Sequence, residues 1–200
     1  MNPVRHGMNC RLIISLCLLI LTACDQSQWQ TTPVHGIMPE LSFTLTDETG
    51  QTVQAEDYAG NIRLVFFGFS HCKMACPVTL GKLTLAMKQL GPAVDDVRVL
   101  FVSVDPARDT PAVLDQYTDQ YTPRMVGLTG NHEQLQDLAR RYRVAYSYGD
   151  GYPGGEYMVF HSSAVFVFDR QGEIRLIMQA DDGIDAIVPD LRRLLEENQT

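Results

Sequence analysis

Apolar and polar positions alternate, cluster or recur along this chain in patterns that lay out its elements. Leu41-Ser42-Phe43-Thr44-Leu45-Thr46 alternates strictly, Asp47-Glu48-Thr49-Gly50 supplies turn residues, and Gln51-Thr52-Val53 can return as the second arm of a hairpin. Ile62, Leu64, Val65, Phe66 and Phe67 form a nearly continuous apolar run, as a strand buried on both faces requires. Leu80, Leu83, Met87 and Leu90 then recur at helical spacing, and Gly91-Pro92 ends the period. Pro77 suits the first helical position, where its missing N–H costs nothing, so Cys72 and Cys76 are expected on a loop ending at that helix start. Val97 to Val104 is a second strand rich in β-branched residues, which makes a βαβ unit with a parallel pair.

Asp109-Thr110-Pro111 reads as a helix cap leading into Leu114 and Tyr117, and Met125 to Leu128 as a strand before the helix carrying Leu135, Leu138 and Tyr142. From Ala145 to Glu156 Gly, Tyr and Pro accumulate, predicting an exposed loop. Ser163 to Phe168, the turn Asp169-Arg170-Gln171-Gly172 and Glu173 to Met178 form a hairpin, and Ile184, Ile187, Val188, Leu191, Leu194 and Leu195 mark a final helix. This order, with a cysteine pair after the first buried strand, predicts an α/β thioredoxin-like fold: a central mixed sheet flanked by helices, with an N-terminal β-hairpin extension.

The N-terminus follows another pattern. Arg5 and Arg11 precede the apolar run Leu12 to Leu21, and Leu21-Thr22-Ala23-Cys24 follows, so residues 1–23 are expected to be a secretion signal. Leu-Thr-Ala-Cys resembles the lipobox of bacterial lipoproteins, which implies cleavage before Cys24 and its acylation; an uncleaved anchor helix is the alternative. Residues 24–36 are polar and aperiodic, a tether. Residues 37–198 then form the domain, and with 200 residues at 45% hydrophobic there is core enough for one. Asp25 after the acylated cysteine resembles an inner-membrane retention signal, placing the domain on the periplasmic side of the bacterial inner membrane. Losing Arg5 and Arg11 makes the formal charge two units more negative than −8, which argues against nucleic acid.

Processing removes Cys10 and Cys17 and commits Cys24 to lipid, leaving Cys72 and Cys76 as the thiols of the mature chain. In an oxidising compartment an idle pair becomes a disulfide, and a pair kept for metal must be reduced by a partner. Structural zinc asks for four protein ligands, whereas copper(I) accepts few, soft donors, so two thiolates and one imidazole suffice for it. His161, between the Gly-rich loop and a strand, is the candidate imidazole; its alternative is a histidine hydrogen-bonded at a strand end. His71 neighbours Cys72 but is expected to point elsewhere; Met74 offers a thioether inside the loop, where Met more often fills space. Asp105-Pro106 reads as a turn, and Arg108 can pair with Asp105 or Asp109.

Phe67-Gly68-Phe69-Ser70-His71-Cys72-x-x-x-Cys76-Pro77, Ser103-Val104-Asp105-Pro106-Ala107-Arg108-Asp109-Thr110-Pro111, Gly127-Leu128-Thr129-Gly130 and His161-Ser162 together resemble the Sco/SenC family. That family comprises membrane-attached thioredoxin-fold copper proteins that assist assembly of the copper A centre of cytochrome c oxidase. The resemblance implies one copper ion held by Cys72, Cys76 and His161, with Asp105 an acidic residue near the site. It also implies an oxidase subunit as recipient and a thiol reductant or copper donor as further partner. A thiol–disulfide reductase using Cys72 and Cys76 is the rival function. The chain departs from the family pattern at Lys73 and Met74, where Pro and Asp are usual, and at Phe160, where many members have Asp. A cation gained and carboxylates lost should favour copper(I) over copper(II).

Overall fold

The computed structural model describes residues 29–151, 153 and 157–197. The expected signal peptide and the acylation site Cys24 lie outside them. Among the described residues, ten strands and four α-helices follow in the order β1 (Thr32–Pro33), β2 (Thr44–Asp47), β3 (Thr52–Gln54), β4 (Ile62–Gly68), α1 (Ala75–Leu90), β5 (Val97–Ser103), α2 (Pro111–Thr118), β6 (Met125–Thr129), α3 (His132–Arg141), β7 (Tyr146–Tyr148), β8 (Val159–His161), β9 (Val165–Phe168), β10 (Ile174–Met178) and α4 (Ile184–Glu197). Eight strands make one mixed sheet, ordered β1-β10-β9-β4-β5-β6-β2-β3, and β7 and β8 form a separate ribbon.

The apolar run of β4 is buried throughout because the strand lies between β5, its parallel neighbour, and β9, its antiparallel one. Alternate side chains serve two cores. Ile62, Leu64 and Phe66 meet Leu80, Leu83 and Met87 of α1 and Leu191 and Leu194 of α4. Val65 and Phe67 point the other way, toward Leu135 and Leu138 of α3 and Phe43 and Leu45 of the N-terminal hairpin. That hairpin, β2–β3, extends the sheet by pairing β2 with β6.

Four details differ from the expectations. Helix α1 starts at Ala75, so Cys76 belongs to its first turn and Pro77 is its third residue. Proline fits there too, since the first turn's N–H groups have no acceptor inside the helix. The cap of α2 is Thr110, whose side chain accepts from the Val113 amide, and Asp109 is buried for another purpose. The stretch expected as an exposed loop supplies strand β7, paired with β8 from Tyr146 opposite His161 to Tyr148 opposite Val159. The tether expected up to residue 36 reaches the fold earlier: Thr32 and Pro33 pair with β10, and the Thr31 amide and hydroxyl each donate to Asp190 at 2.8 Å.

Candidate metal centre

Parallel pairing of β4 and β5 sets both strands' C-terminal ends side by side, and the chain leaves β4 there toward α1. Gly68 ends the strand under close packing. A Cβ on it would lie 2.7 Å from the Phe101 ring and 2.9 Å from Cys76 Sγ, so a hydrogen there is what lets the buried thiol sit against the strand end. Beyond Gly68 the loop is tied down by polar bonds. Asp109, fully buried, accepts from the Ser70 amide at 2.9 Å, the Ser70 hydroxyl at 2.5 Å and the Ser103 hydroxyl at 2.6 Å. The Cys72 amide donates to the Phe69 carbonyl at 3.1 Å, and the Cys76 amide donates to Cys72 Sγ at 3.4 Å.

From the ribbon comes the third donor. His161 Nε2 lies 3.3 Å from Cys76 Sγ, and one donor atom each from Cys72, Cys76 and His161 falls within a 4.8 Å span. The other ring nitrogen, Nδ1, is 2.9 Å from the Ser162 carbonyl, which can only accept; Nδ1 therefore carries the proton, and the Nε2 lone pair faces the sulfurs. Phe66 and Phe69 meet the imidazole edge-on at 6.1 and 5.7 Å and hold its plane. Burial pushes the His161 pKa down, with bonds to the Ser162 and Phe67 backbone opposing, so the ring stays a neutral donor to lower pH than a free histidine.

The two thiols are unequal. Burial alone would raise Cys72, but the amides around Cys76, Met74 and Ala75 and the Cys76 thiol outweigh it, and its pKa falls below the ordinary value. Burial raises Cys76 strongly, against a bond from the Phe69 backbone, and a charge on Cys72 raises it further. An attached soft cation would replace that proton; two sulfurs and a fixed imidazole lone pair are donors suited to such an ion.

Asp105 is buried but stands behind the triad. Its carboxylate accepts from Arg108 Nε and the Tyr157 hydroxyl, each at 2.5 Å. The Arg108 guanidinium lies 3.7 Å over the Tyr157 ring and donates to the Tyr157 carbonyl at 3.1 Å. This clamp fixes the chain just before β8, and so the approach of His161. The family resemblance put Asp105 near the site, and the sequence left Arg108 to pair with Asp105 or Asp109; Tyr157 was missed, its only sign being its place just after a Gly- and Tyr-rich segment. His71 is not brought into the triad: its Nδ1 lies 3.0 Å from Ser70 Oγ. A cavity of about 680 Å³ opens over Cys72 and His161, and Met74 and Met158 line it.

Fold and site together define a thioredoxin-like protein with two cysteines and one histidine gathered into a single donor group. The chain matches the SCO1/SenC family model over residues 37–196 and belongs to that family. An SCO2-like protein of Rickettsia conorii is 35% identical over 133 residues, 66% of this chain and 64% of that protein's length, a little under two thirds of the relative. The structure of ScoI from Bradyrhizobium japonicum with copper bound superposes with a TM-score of 0.70 at 30% identity, covering 78% of this chain and 98% of that one. Apo Sco1 from Thermus thermophilus gives 0.74 at 33% identity over 85% and 99%.

Proposed function

We propose that the chain binds one copper ion through Cys72, Cys76 and His161 and hands it by ligand exchange to the copper A subunit of cytochrome c oxidase. The convergence of three soft or borderline donors within 4.8 Å, from segments 85 residues apart, carries the reading. The copper held by the Bradyrhizobium relative supports it. Copper is cargo here, and the chain's own part is to present donors already aimed: the imidazole by its Ser162 bond, Cys76 by the space at Gly68, and Cys72 by the loop that Asp109 holds. Acylation at Cys24 would keep the domain at the membrane that holds its recipient. Copper titration of the reduced protein tests the site. One equivalent should bind tightly, and His161→Ala should weaken it sharply; unchanged affinity would remove the histidine from the site.

The inequality of the thiols favours a second activity on the same target. Cys72 is part-exposed with a lowered pKa, Cys76 buried with a raised one, the division between an attacking and a resolving sulfur. Cys72 thiolate would attack a target disulfide, forming a mixed disulfide and releasing one target thiolate. Cys76, losing its proton to water, would then attack Cys72 Sγ and free the second. The target is reduced by two electrons and the pair ends as a disulfide that an external thiol reductant must reopen. Reductase activity lost in Cys72→Ser but kept in His161→Ala would favour thiol chemistry over copper transfer as the main role.

A further inference from the structure

Among the described residues six large apolar side chains are exposed, and three of them, Met74, Met158 and Phe160, line the cavity above Cys72 and His161. Met74 is 79% and Met158 63% exposed, although burial out of water would stabilise such a side chain. Their places in the chain are also telling. Met74 sits between the two cysteines at the entrance to α1, and Met158 directly precedes the ribbon strand that ends in His161. Each segment that brings an inner donor thus also carries a thioether at the mouth. Lys73 and Arg108 line the same cavity and, among the described residues, no carboxylate does, so the mouth offers hard cations nothing. A thioether is soft, neutral and free of any proton to displace, and its three rotatable bonds let it follow an ion.

We propose that Met74 and Met158 form an outer receiving station for copper(I), loaded before the inner triad; this rests on the copper reading of Cys72, Cys76 and His161. Transfer inward is ligand exchange without redox change. Copper–thioether bonds break as copper–thiolate and copper–imidazole bonds form, and the proton displaced from Cys76, with that of Cys72 where it is still a thiol, passes to water. The weaker donors outside and the stronger ones inside set the direction.

The full chain, reduced and labelled at its methionine methyl groups, would be titrated anaerobically with the copper(I)–acetonitrile complex. A first equivalent should fill the triad, and a second should shift the Met74 and Met158 methyl resonances in the NMR spectrum. Met74→Leu with Met158→Leu keeps the apolar surface and removes both sulfurs. It should lose the second equivalent, retain the first, and slow loading of the triad severalfold in stopped flow. Unmoved methyl resonances over a filled triad, or unchanged loading in the double variant, would overturn the station and leave the patch as an apolar docking surface for a partner protein. Failure of the first equivalent to bind would overturn the copper reading and this inference with it.

Discussion

Gly68 illustrates how much of the site depends on a missing atom. Its nearest neighbours beyond the chain are a buried phenyl ring and the buried sulfur of Cys76, neither free to retreat far inside a packed core. Gly68→Ala should therefore cost about 1–3 kcal/mol as overpacking and push Cys76 Sγ off the line toward His161 Nε2. Urea unfolding would show the first effect, and copper titration of the still-folded variant the second, as a loss of affinity exceeding that of a matched substitution away from the site. Of the gathered donors, Cys72 and Cys76 were visible in the sequence as the two cysteines beyond the expected acylation site, and His161, one of four histidines beyond residue 23, through its place before a strand and the motif His161-Ser162. The residues holding them were less so. Asp109 reads equally well as a helix cap, and only the fold brings Ser70 and Ser103 to it. Tyr157 becomes legible once Arg108 lies over its ring, a contact made across 49 residues.

At the scale of elements, legibility follows where an element's stability comes from. Strands β4 and β5 and helix α4 announce themselves because their own apolar spacing buries them. Strand β1 is two residues long and has no pattern of its own; it exists because β10 offers an edge and Asp190 offers a carboxylate. That carboxylate, 1% exposed on α4, also takes the Gln30 amide at 3.0 Å. Asp190→Ala would leave these donors without their acceptor and should destabilise the domain by on the order of 3 kcal/mol. Hydrogen exchange should show the amides of residues 30–32 losing protection first, and unchanged protection there would mean that the β10 pairing alone holds the strand. The ribbon β7–β8 escaped notice for the same reason: its tyrosines pack on one another and on the core, Tyr146 with Tyr148 at 5.8 Å and Tyr148 with Tyr157 at 6.1 Å, with no apolar period in the sequence.

The end of α4 gives a pH-dependent test at this scale. Burial would raise the Glu197 pKa, but hydrogen bonding and charge from Arg175, then Arg193, outweigh it, and the value falls below its ordinary 4.5. A depressed carboxylate contributes stability above the unfolded pKa and loses it as pH falls through the folded one. The Glu197 side chain is about one-third exposed, so the contribution is under about 1 kcal/mol. Glu197→Gln should lower stability by that small amount at neutral pH, and the difference from wild type should close as the pH drops below 4.5. Urea midpoints measured across that range check both sign and window.

Taken whole, the molecule is a rigid sheet that delivers two separate pieces of chain to one point. Cys72 and Cys76 hang from the central strand, which eight-stranded pairing makes hard to move, while His161 hangs from a two-stranded ribbon outside that sheet. The ribbon is fixed by the Asp105–Arg108–Tyr157 clamp and its aromatic packing. An ion bound to all three donors closes a loop of 85 residues from Cys76 to His161 and joins the weaker part of the fold to the stronger. Binding confined to the native state stabilises it by mass action, about 2.7 kcal/mol when free ligand is a hundredfold above its dissociation constant. For a domain of this size that amounts to a rise in melting temperature of about 5–10 °C. Stripping copper with a chelator should reverse the rise. His161→Ala, which removes the imidazole's bonds to the Ser162 and Phe67 backbone and its packing on Phe66 and Phe69, should lower the copper-free melting temperature modestly, and its main effect should be to shrink the copper increment. Arg108→Ala should instead act mainly on the copper-free value, because the ribbon loses its clamp before any metal arrives. Calorimetry of the three proteins with and without copper separates a residue that holds the ion from one that holds the ribbon, and equal increments in all three would mean that copper is bound by the cysteines alone.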